Sequence, residues 1–205
     1  MRREYSLSQL NRTDLADNPR TQFSHWFVEA QKVLLEPNAM ALATATLDGK
    51  PSNRMVLFKG WDAKGLLFFT NYQSRKAREL KENPHAAATF YWDILERQVC
   101  IEGMVEKVTQ EISDDYFANR PRQSQLSSWA SQQDAPLQER SILIEKFEYY
   151  AKQFEGQNVP RPPHWGGYRL LPQRIEFWQG RESRLHDRFL YIKNAQGWSI
   201  TRLSP

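Results

Sequence analysis

Between residues 39 and 71 the chain falls into short extended runs cut by strong turn signals. "AMALATAT" (39–46), "NRMVLFKG" (53–60) and "GLLFFTN" (65–71) are rich in strand formers, with "LDGKP" and "WDAKG" between them. Asp48-Gly49 is a hairpin signal in its own right. "AAATFYW" (86–92) and "ERQVCIEGMVEKVT" (96–109) add two strands, and "QRIEFWQG" (173–180), "RFLYIKN" (188–194) and "GWSITRL" (197–203) add three more. Helical spacing is confined to other segments. Asn18-Pro19 reads as an N-cap followed by a first-turn proline, and Phe23, Trp26, Phe27, Ala30, Val33 and Leu34 then recur on one face. "SRKARELKEN" (74–83) is a short helix, residues 109–154 are helical in pattern, and 156–167 form an irregular connector. The expected fold is α+β, an antiparallel barrel-like sheet with surrounding helices. Residues 1–18 are polar and are expected to be a flexible arm, with 19–205 as one domain.

A chain of 205 residues, 40% apolar and 13% aromatic, can bury a sizeable core without disulfide staples. Its single cysteine, Cys100, has no partner for an intramolecular bridge, which suits a reducing cytoplasm. No run of 18 apolar residues occurs, and "MRREYSLSQL" lacks the apolar stretch of a signal peptide, so no membrane role is expected. The net charge of +4 is modest, and acids are interleaved with the bases. That pattern disfavours a dedicated nucleic-acid binder and fits small anionic ligands.

Neither GxGxxG nor GxxxxGK[ST] is present, nor GxSxG, HExxH or SxxK. The four histidines are scattered, so no metal site is expected. Any phosphate must therefore be held by side chains and helix N-termini. Arg54 and Lys59 bracket "RMVLFK", and their odd separation puts them on opposite faces of a regular strand. Taken alone they read as the solvated basic ends of that strand. Arg75 and Lys76 follow Ser74 in the first turn of a helix, where the dipole disfavours cations unless an anion sits on the free N–H groups. "YFANRPRQSQ" (116–125) gathers Tyr116, Arg120, Arg122 and Ser124 near a second helix start. Near the C-terminus, Arg184, His186 and Arg188 follow an aromatic strand. Arg54, Lys59, Arg75, Lys76, Arg120, Arg184 and Arg188 make seven cations, which would repel one another around one phosphate of charge about −2, so two phosphorylated ligands balance better than one.

Together these segments resemble the pyridoxine/pyridoxamine 5′-phosphate oxidase family over nearly the whole chain, from "RREY" (2–5) to "RLSP". "IEFWQ", four residues, then "RLHDR" is the most specific stretch, and "RMVLFK", "FFTN", "SRK", "LERQV" and "RPRQSQ" occur in the family's order. The resemblance implies a split-barrel flavoprotein, a homodimer with FMN in clefts between subunits. It implies oxidation of pyridoxine or pyridoxamine 5′-phosphate to pyridoxal 5′-phosphate, with hydride transfer from the substrate C4′ to FMN and oxygen as acceptor. By that match Arg54, Met55, Val56, Leu57, Phe58 and Lys59 line FMN. Arg75 and Lys76 hold its phosphate, helped by Phe69, Thr70 and Gln98, and Gln133, Asp134, Trp178 and Arg188 complete the cofactor set. Lys59, Tyr116, Arg120 and Ser124 hold the substrate phosphate. Arg184, Leu185 and His186 close over the pyridine ring, with Arg184 and His186 as the catalytic pair, and Arg2, Arg3, Glu4 and Tyr5 form a lid.

Two positions depart from the family pattern. Asp134 stands where serine is common, and a carboxylate there is expected to turn away from the phosphate or to weaken FMN modestly. Phe69 replaces a frequent tyrosine and loses a hydroxyl. The alternatives are a paralogous split-barrel flavoenzyme acting on another reduced ring, and a pyridoxal-phosphate or flavin carrier without turnover.

Overall fold

The computed structural model describes residues 4–205. Asn18 caps the first helix, α1 (Pro19–Val33), by accepting from the Arg20 backbone N–H at 2.9 Å, with Pro19 at the first helical position. Such a cap stabilises a helix by about 1 kcal/mol. Phe23, Trp26 and Ala30 form the buried stripe of α1. The Phe23 ring meets those of Phe58, Phe90 and Trp92, all in the buried core.

Eight strands form one antiparallel sheet: β1 (Ala39–Ala45), β2 (Pro51–Leu57), β3 (Leu66–Asn71), β4 (His85–Trp92), β5 (Arg97–Lys107), β6 (Trp165–Gln179), β7 (Asp187–Asn194) and β8 (Gly197–Leu203). Their order is β2-β1-β4-β5-β6-β7-β8, and β3 pairs with the first part of β6. The β1–β2 hairpin turns at Asp48-Gly49, where Gly49 has φ +83°. The register of β5 against β6 shifts between Glu102 and Gly103, opposite Pro172. A proline cannot donate to the ladder, so it sits where the ladder is already interrupted.

Four more helices complete the α+β fold: α2 (Arg75–Glu82), α3 (Gln110–Ala118), α4 (Arg122–Ala130) and α5 (Arg140–Gln153). The last three cover a second apolar cluster of Phe117, Leu126, Phe154, Val159 and Trp165, against which Phe69 and Tyr116 pack.

Two sequence expectations differ from the structure. Strand β6 starts at Trp165, inside the stretch expected to be an irregular connector. The described part of the arm expected to be flexible, residues 4–18, is docked onto the sheet. Leu10 and Leu15 are buried in the main core, the Leu7 N–H donates to Glu96 at 3.0 Å, and the Leu10 N–H donates to Asp187 at 3.1 Å. Gly180 makes room for the arm, since a Cβ there would lie 2.7 Å from the Tyr5 ring. Arg2 and Arg3 lie outside the described residues.

Candidate functional site

The first turn of α2 meets a cavity of about 1020 Å³ bounded by β2, the end of β3, the loop around residue 133, and α3 and α4. Arg75 and Lys76 both line it. Lys76 is almost fully buried, and among the described residues its Nζ donates to neutral oxygens alone, Thr70 Oγ1 and Gln133 Oε1, each at 3.3 Å. Burial pushes its pKa below the usual lysine value. A buried ammonium facing a cavity, held by hydroxyl and amide rather than by a bonded carboxylate, is a preformed seat for an anion.

Glu79, one turn further along α2, is buried beneath this wall. It accepts from Thr44 and Ser52 of the β1–β2 hairpin and from Arg75 Nε at 2.8 Å, and Arg54 Nη2 lies 3.5 Å away. Arg54 also donates to the Leu42 carbonyl at 3.1 Å. The carboxylate therefore fixes two cavity-lining guanidiniums from behind. Burial would raise its pKa, but hydrogen bonds from Ser52, Thr44 and Arg75 outweigh that and bring it from 4.5 to about 2. A depressed carboxylate pKa stabilises the fold above the unfolded-state value, and that contribution fades as pH falls from 4.5 towards 2. Glu79→Gln is expected to lower the unfolding free energy by about 2–3 kcal/mol at pH 7. In urea titrations the gap to wild type should close near pH 2, and a gap that persisted there would contradict this account.

The far wall carries aromatic rings and a second cationic group. Phe69 stacks on Tyr116 with centroids 3.8 Å apart, and Trp165 lies nearly parallel to both. The Arg120 guanidinium sits 4.4 Å from the Trp165 ring centroid and donates to Ser128 Oγ at 2.6 Å. Among the described residues Arg120 forms no salt bridge, and burial lowers its pKa. Lys59 and Ser124 line the same cavity. Strand β2 ends at Leu57, so Lys59 lies beyond the regular strand and shares the cavity with Arg54 despite their odd separation.

Another group gathers past the opposite end of β6. The His186 ring lies 4.7 Å from Trp178 and 5.8 Å from Tyr5, while Tyr5 meets Trp178 edge-on at 5.6 Å. The Arg181 N–H donates to His186 Nδ1 at 3.0 Å, which leaves Nε2 to carry the proton of the neutral ring. Burial and the charges of Arg184 and Arg188 hold the His186 pKa below its ordinary value. Arg184 follows Ser183 in a left-handed pair, φ +61° and +55°, a conformation that non-glycine residues keep only where the surroundings enforce it. Leu185 is exposed. Arg188 is clamped by both oxygens of Glu176, at 2.8 and 2.9 Å, and Gln98 pairs with Trp178 across β5 and β6.

The structure thus divides the expected residues. Arg54, Met55, Val56, Leu57, Lys59, Phe69, Thr70, Arg75, Lys76, Tyr116, Arg120, Ser124, Gln133 and Asp134 share the cavity. Gln98, Trp178, Arg184, Leu185, His186, Arg188 and Tyr5 do not line it, and Glu4 is exposed. From Trp165 to Trp178 the path along β6 is roughly 40 Å. Phe58 is a correction: its side chain is buried against Phe23 and Phe27 in the core. Asp134 lines the cavity and does not turn away from the start of α2, since its carboxylate accepts from the Arg75 N–H at 2.7 Å. Glu79, Ser128 and Trp165 were missed by sequence reasoning. Only Glu79 left a signal, its spacing of four from Arg75.

Residues 28–154 match the family model described as pyridoxamine 5′-phosphate oxidase, and residues 165–205 match that of the pyridoxine 5′-phosphate oxidase C-terminal dimerisation region. A pyridoxine/pyridoxamine 5′-phosphate oxidase from Rubrobacter xylanophilus is 53% identical, covering 100% of this chain and 95% of its own length. One from Burkholderia thailandensis is 54% identical, with 100% and 97% covered. Among solved structures, PhzG from Burkholderia lata 383, in complex with tetrahydrophenazine-1-carboxylic acid, has a TM-score of 0.91 at 34% identity, covering 98% of this chain and 100% of that one. A pyridoxamine 5′-phosphate oxidase-related FMN-binding protein from Nostoc punctiforme shares the fold, with a TM-score of 0.74 at 19% identity over 93% of this chain and 100% of that one.

Proposed function

The chain belongs to the pyridoxamine 5′-phosphate oxidase family, and from that premise we propose that it converts pyridoxine and pyridoxamine 5′-phosphates to pyridoxal 5′-phosphate, using FMN and oxygen. The carrying observation is one cavity lined by Arg54, Lys59, Arg75, Lys76, Arg78 and Arg120, with Arg54 and Arg75 sharing Glu79 beside Lys76 at the start of α2 and Arg120 on the Trp165 wall. Two phosphorylated ligands suit such a cavity, and its volume is at the upper end for small-molecule sites.

The donors fit FMN on chemical grounds. Two guanidiniums, a buried ammonium, the Thr70 hydroxyl and the Gln133 amide supply the charge-assisted and neutral hydrogen bonds that a phosphate monoester accepts. The Phe69, Tyr116 and Trp165 rings give the cavity an apolar wall. Bound FMN supplies the two-electron redox chemistry that side chains lack, with oxygen as final acceptor and hydrogen peroxide as by-product. On this reading Lys59, Tyr116, Arg120 and Ser124 clamp the substrate phosphate, which fixes one end of the pyridine ring. Holding reactants in register in this way can supply roughly 7–11 kcal/mol of the barrier.

Arg184 and His186 are to meet the ring from a second copy of the chain. Within one chain they stand at the other end of β6, and residues 165–205 match a dimerisation region. Strand β2 is a sheet edge with Met55 and Leu57 exposed, the kind of apolar border a partner covers. Neutral His186 then presents its Nε2 proton as a donor, and Arg184 offers a positive charge to developing negative charge. Arg184→Ala is expected to lower kcat/KM by about tenfold or more while FMN content holds, since a charge-assisted contact is worth about 1.5–3 kcal/mol. Steady-state kinetics with pyridoxine 5′-phosphate check this, and unchanged kinetics would remove Arg184 from the site.

On this reading the arm of residues 1–18 is a lid over the substrate and 19–205 are the FMN-binding domain, which the packing of Tyr5 on Trp178 and His186 supports. A cytoplasmic location fits the single unpaired cysteine. Among the described residues no helix is long and apolar enough to cross a membrane.

The likeness to PhzG favours a second reading, oxidation of an unphosphorylated reduced ring. Lys59 and Arg120 weigh against it, because a lone carboxylate of charge −1 balances only one of the two cations, whereas a phosphate of about −2 balances both. Turnover assays on the FMN-loaded protein separate the two. Equal amounts of pyridoxal 5′-phosphate and peroxide are expected from pyridoxine 5′-phosphate. Turnover of an unphosphorylated tricycle alone would overturn the main reading.

A further inference from the structure

The N-terminus of α2, where the phosphate reading puts an anion, already receives one from the chain itself. Asp134 Oδ2 accepts the Arg75 backbone N–H at 2.7 Å. Asp134 is also the largest opposite charge acting on Lys76. Its own backbone is left-handed, φ +66°, a conformation that aspartate and asparagine tolerate better than most residues. The neighbouring Gln133 is tied to Thr70 and Lys76, so the loop is fastened on the cavity side of the helix. Meanwhile the helix's own N-cap is idle. Ser74 makes no side-chain capping bond, and its Oγ is fully buried with no hydrogen-bond partner. A serine at this position ordinarily caps. Here a loop carboxylate does so, and a buried hydroxyl beside it is left unmatched.

We propose that the Asp134 carboxylate competes with the cofactor phosphate for the donors at the α2 N-terminus, so that FMN loads only by displacing it. The inference rests on the FMN reading above and adds a residue that sets how tightly this chain holds its flavin. Carboxylate and phosphate bear the same sign and seek the same N–H and ammonium, so both cannot sit there together without strong repulsion. Asp134 therefore acts opposite to Lys76: it stabilises the helix start and opposes the ligand. Because the shared donors are those for the phosphate alone, the competition does not extend to the ring system.

Flavin-free protein is titrated with FMN and, separately, with riboflavin, following the quenching of flavin fluorescence. Asp134→Asn keeps the left-handed backbone and a capping oxygen but removes the charge. It is expected to tighten FMN about tenfold or more and to leave riboflavin unchanged. Asp134→Ala, which removes the cap as well, is expected to tighten FMN in the same direction. The proposal is overturned if Asp134→Asn binds FMN no more tightly than wild type, or if it tightens riboflavin equally. Weaker FMN binding by Asp134→Ala would likewise overturn it, making Asp134 a structural cap. Should wild type fail to bind FMN at all, the functional reading falls as well.

Discussion

Lys76→Met is expected to raise the FMN dissociation constant by about tenfold or more and, at the same time, to raise the melting temperature of the flavin-free protein. The two effects have one cause. Lys76 is 4% exposed, and its Nζ rests on the neutral oxygens of Thr70 and Gln133. Burying an ammonium with such partners destabilises the fold, and a methionine of similar length relieves that burden. Losing a charge-assisted bond to a phosphate weakens binding by about 1.5–3 kcal/mol. The pH dependence follows from the lowered pKa. The proton must be kept against burial at neutral pH, so the destabilisation is full below the folded-state pKa and disappears as pH rises through the unfolded value of 10.5. Methionine should therefore stabilise most at neutral pH and progressively less towards pH 10.5. Calorimetry and fluorescence titration on one preparation check both halves. A variant that melts lower, or that keeps wild-type FMN affinity, would contradict this role.

Arg120→Ala is expected to raise KM for pyridoxine 5′-phosphate by one to two orders of magnitude, about what losing a charge-assisted contact of 1.5–3 kcal/mol produces, with kcat changed far less. Arg120 is held ready by Ser128 and by the face of Trp165, and burial lowers its pKa without a salt bridge to offset it among the described residues. It acts on a part of the substrate that does not react, so its loss removes binding common to ground and transition states. Unphosphorylated pyridoxine provides the control, since its turnover should be nearly indifferent to the substitution. Equal losses on both compounds would mean that Arg120 shapes the cavity and does not read the phosphate.

The local pattern made some elements plain and concealed others for physical reasons. Asn18-Pro19 and the stripe of Phe23, Trp26 and Ala30 marked α1, because cap, proline and periodicity agree there. Asp48-Gly49 marked the β1–β2 hairpin. The first half of β6 looked irregular because Gly166-Gly167 and Pro172 argue against a strand. Yet a Cβ at Gly167 would fall 2.7 Å from Phe69 and from Val108, so glycine is what lets that strand pass under its neighbours. The arm looked flexible because Leu10 and Leu15 stand isolated among polar residues with no periodicity, and only the assembled core explains their burial.

The site was legible as a set of cations but not as a balanced one. Counting Arg54, Lys59, Arg75, Lys76, Arg120, Arg184 and Arg188 as converging overlooked that Arg184 and Arg188 stand apart from the cavity in this chain. It also missed that Glu79 and Glu176 hold Arg75 and Arg188 from behind. Glu79 on a lysine- and arginine-rich helix reads as a solvated acid. Only the packing of α2 on the β1–β2 hairpin brings Thr44 and Ser52 to it. Asp134 reads as a misfit beside a phosphate until the α2 N-terminus is seen to be where it docks.

The most direct test of the central claim is an anaerobic absorption spectrum of the FMN-loaded protein, taken before and after adding pyridoxine 5′-phosphate and again after readmitting air. The predicted result is bleaching of the flavin band, with pyridoxal 5′-phosphate formed, then recovery of the band with release of hydrogen peroxide. A flavin that stays oxidised with both pyridoxine and pyridoxamine 5′-phosphates would contradict the account.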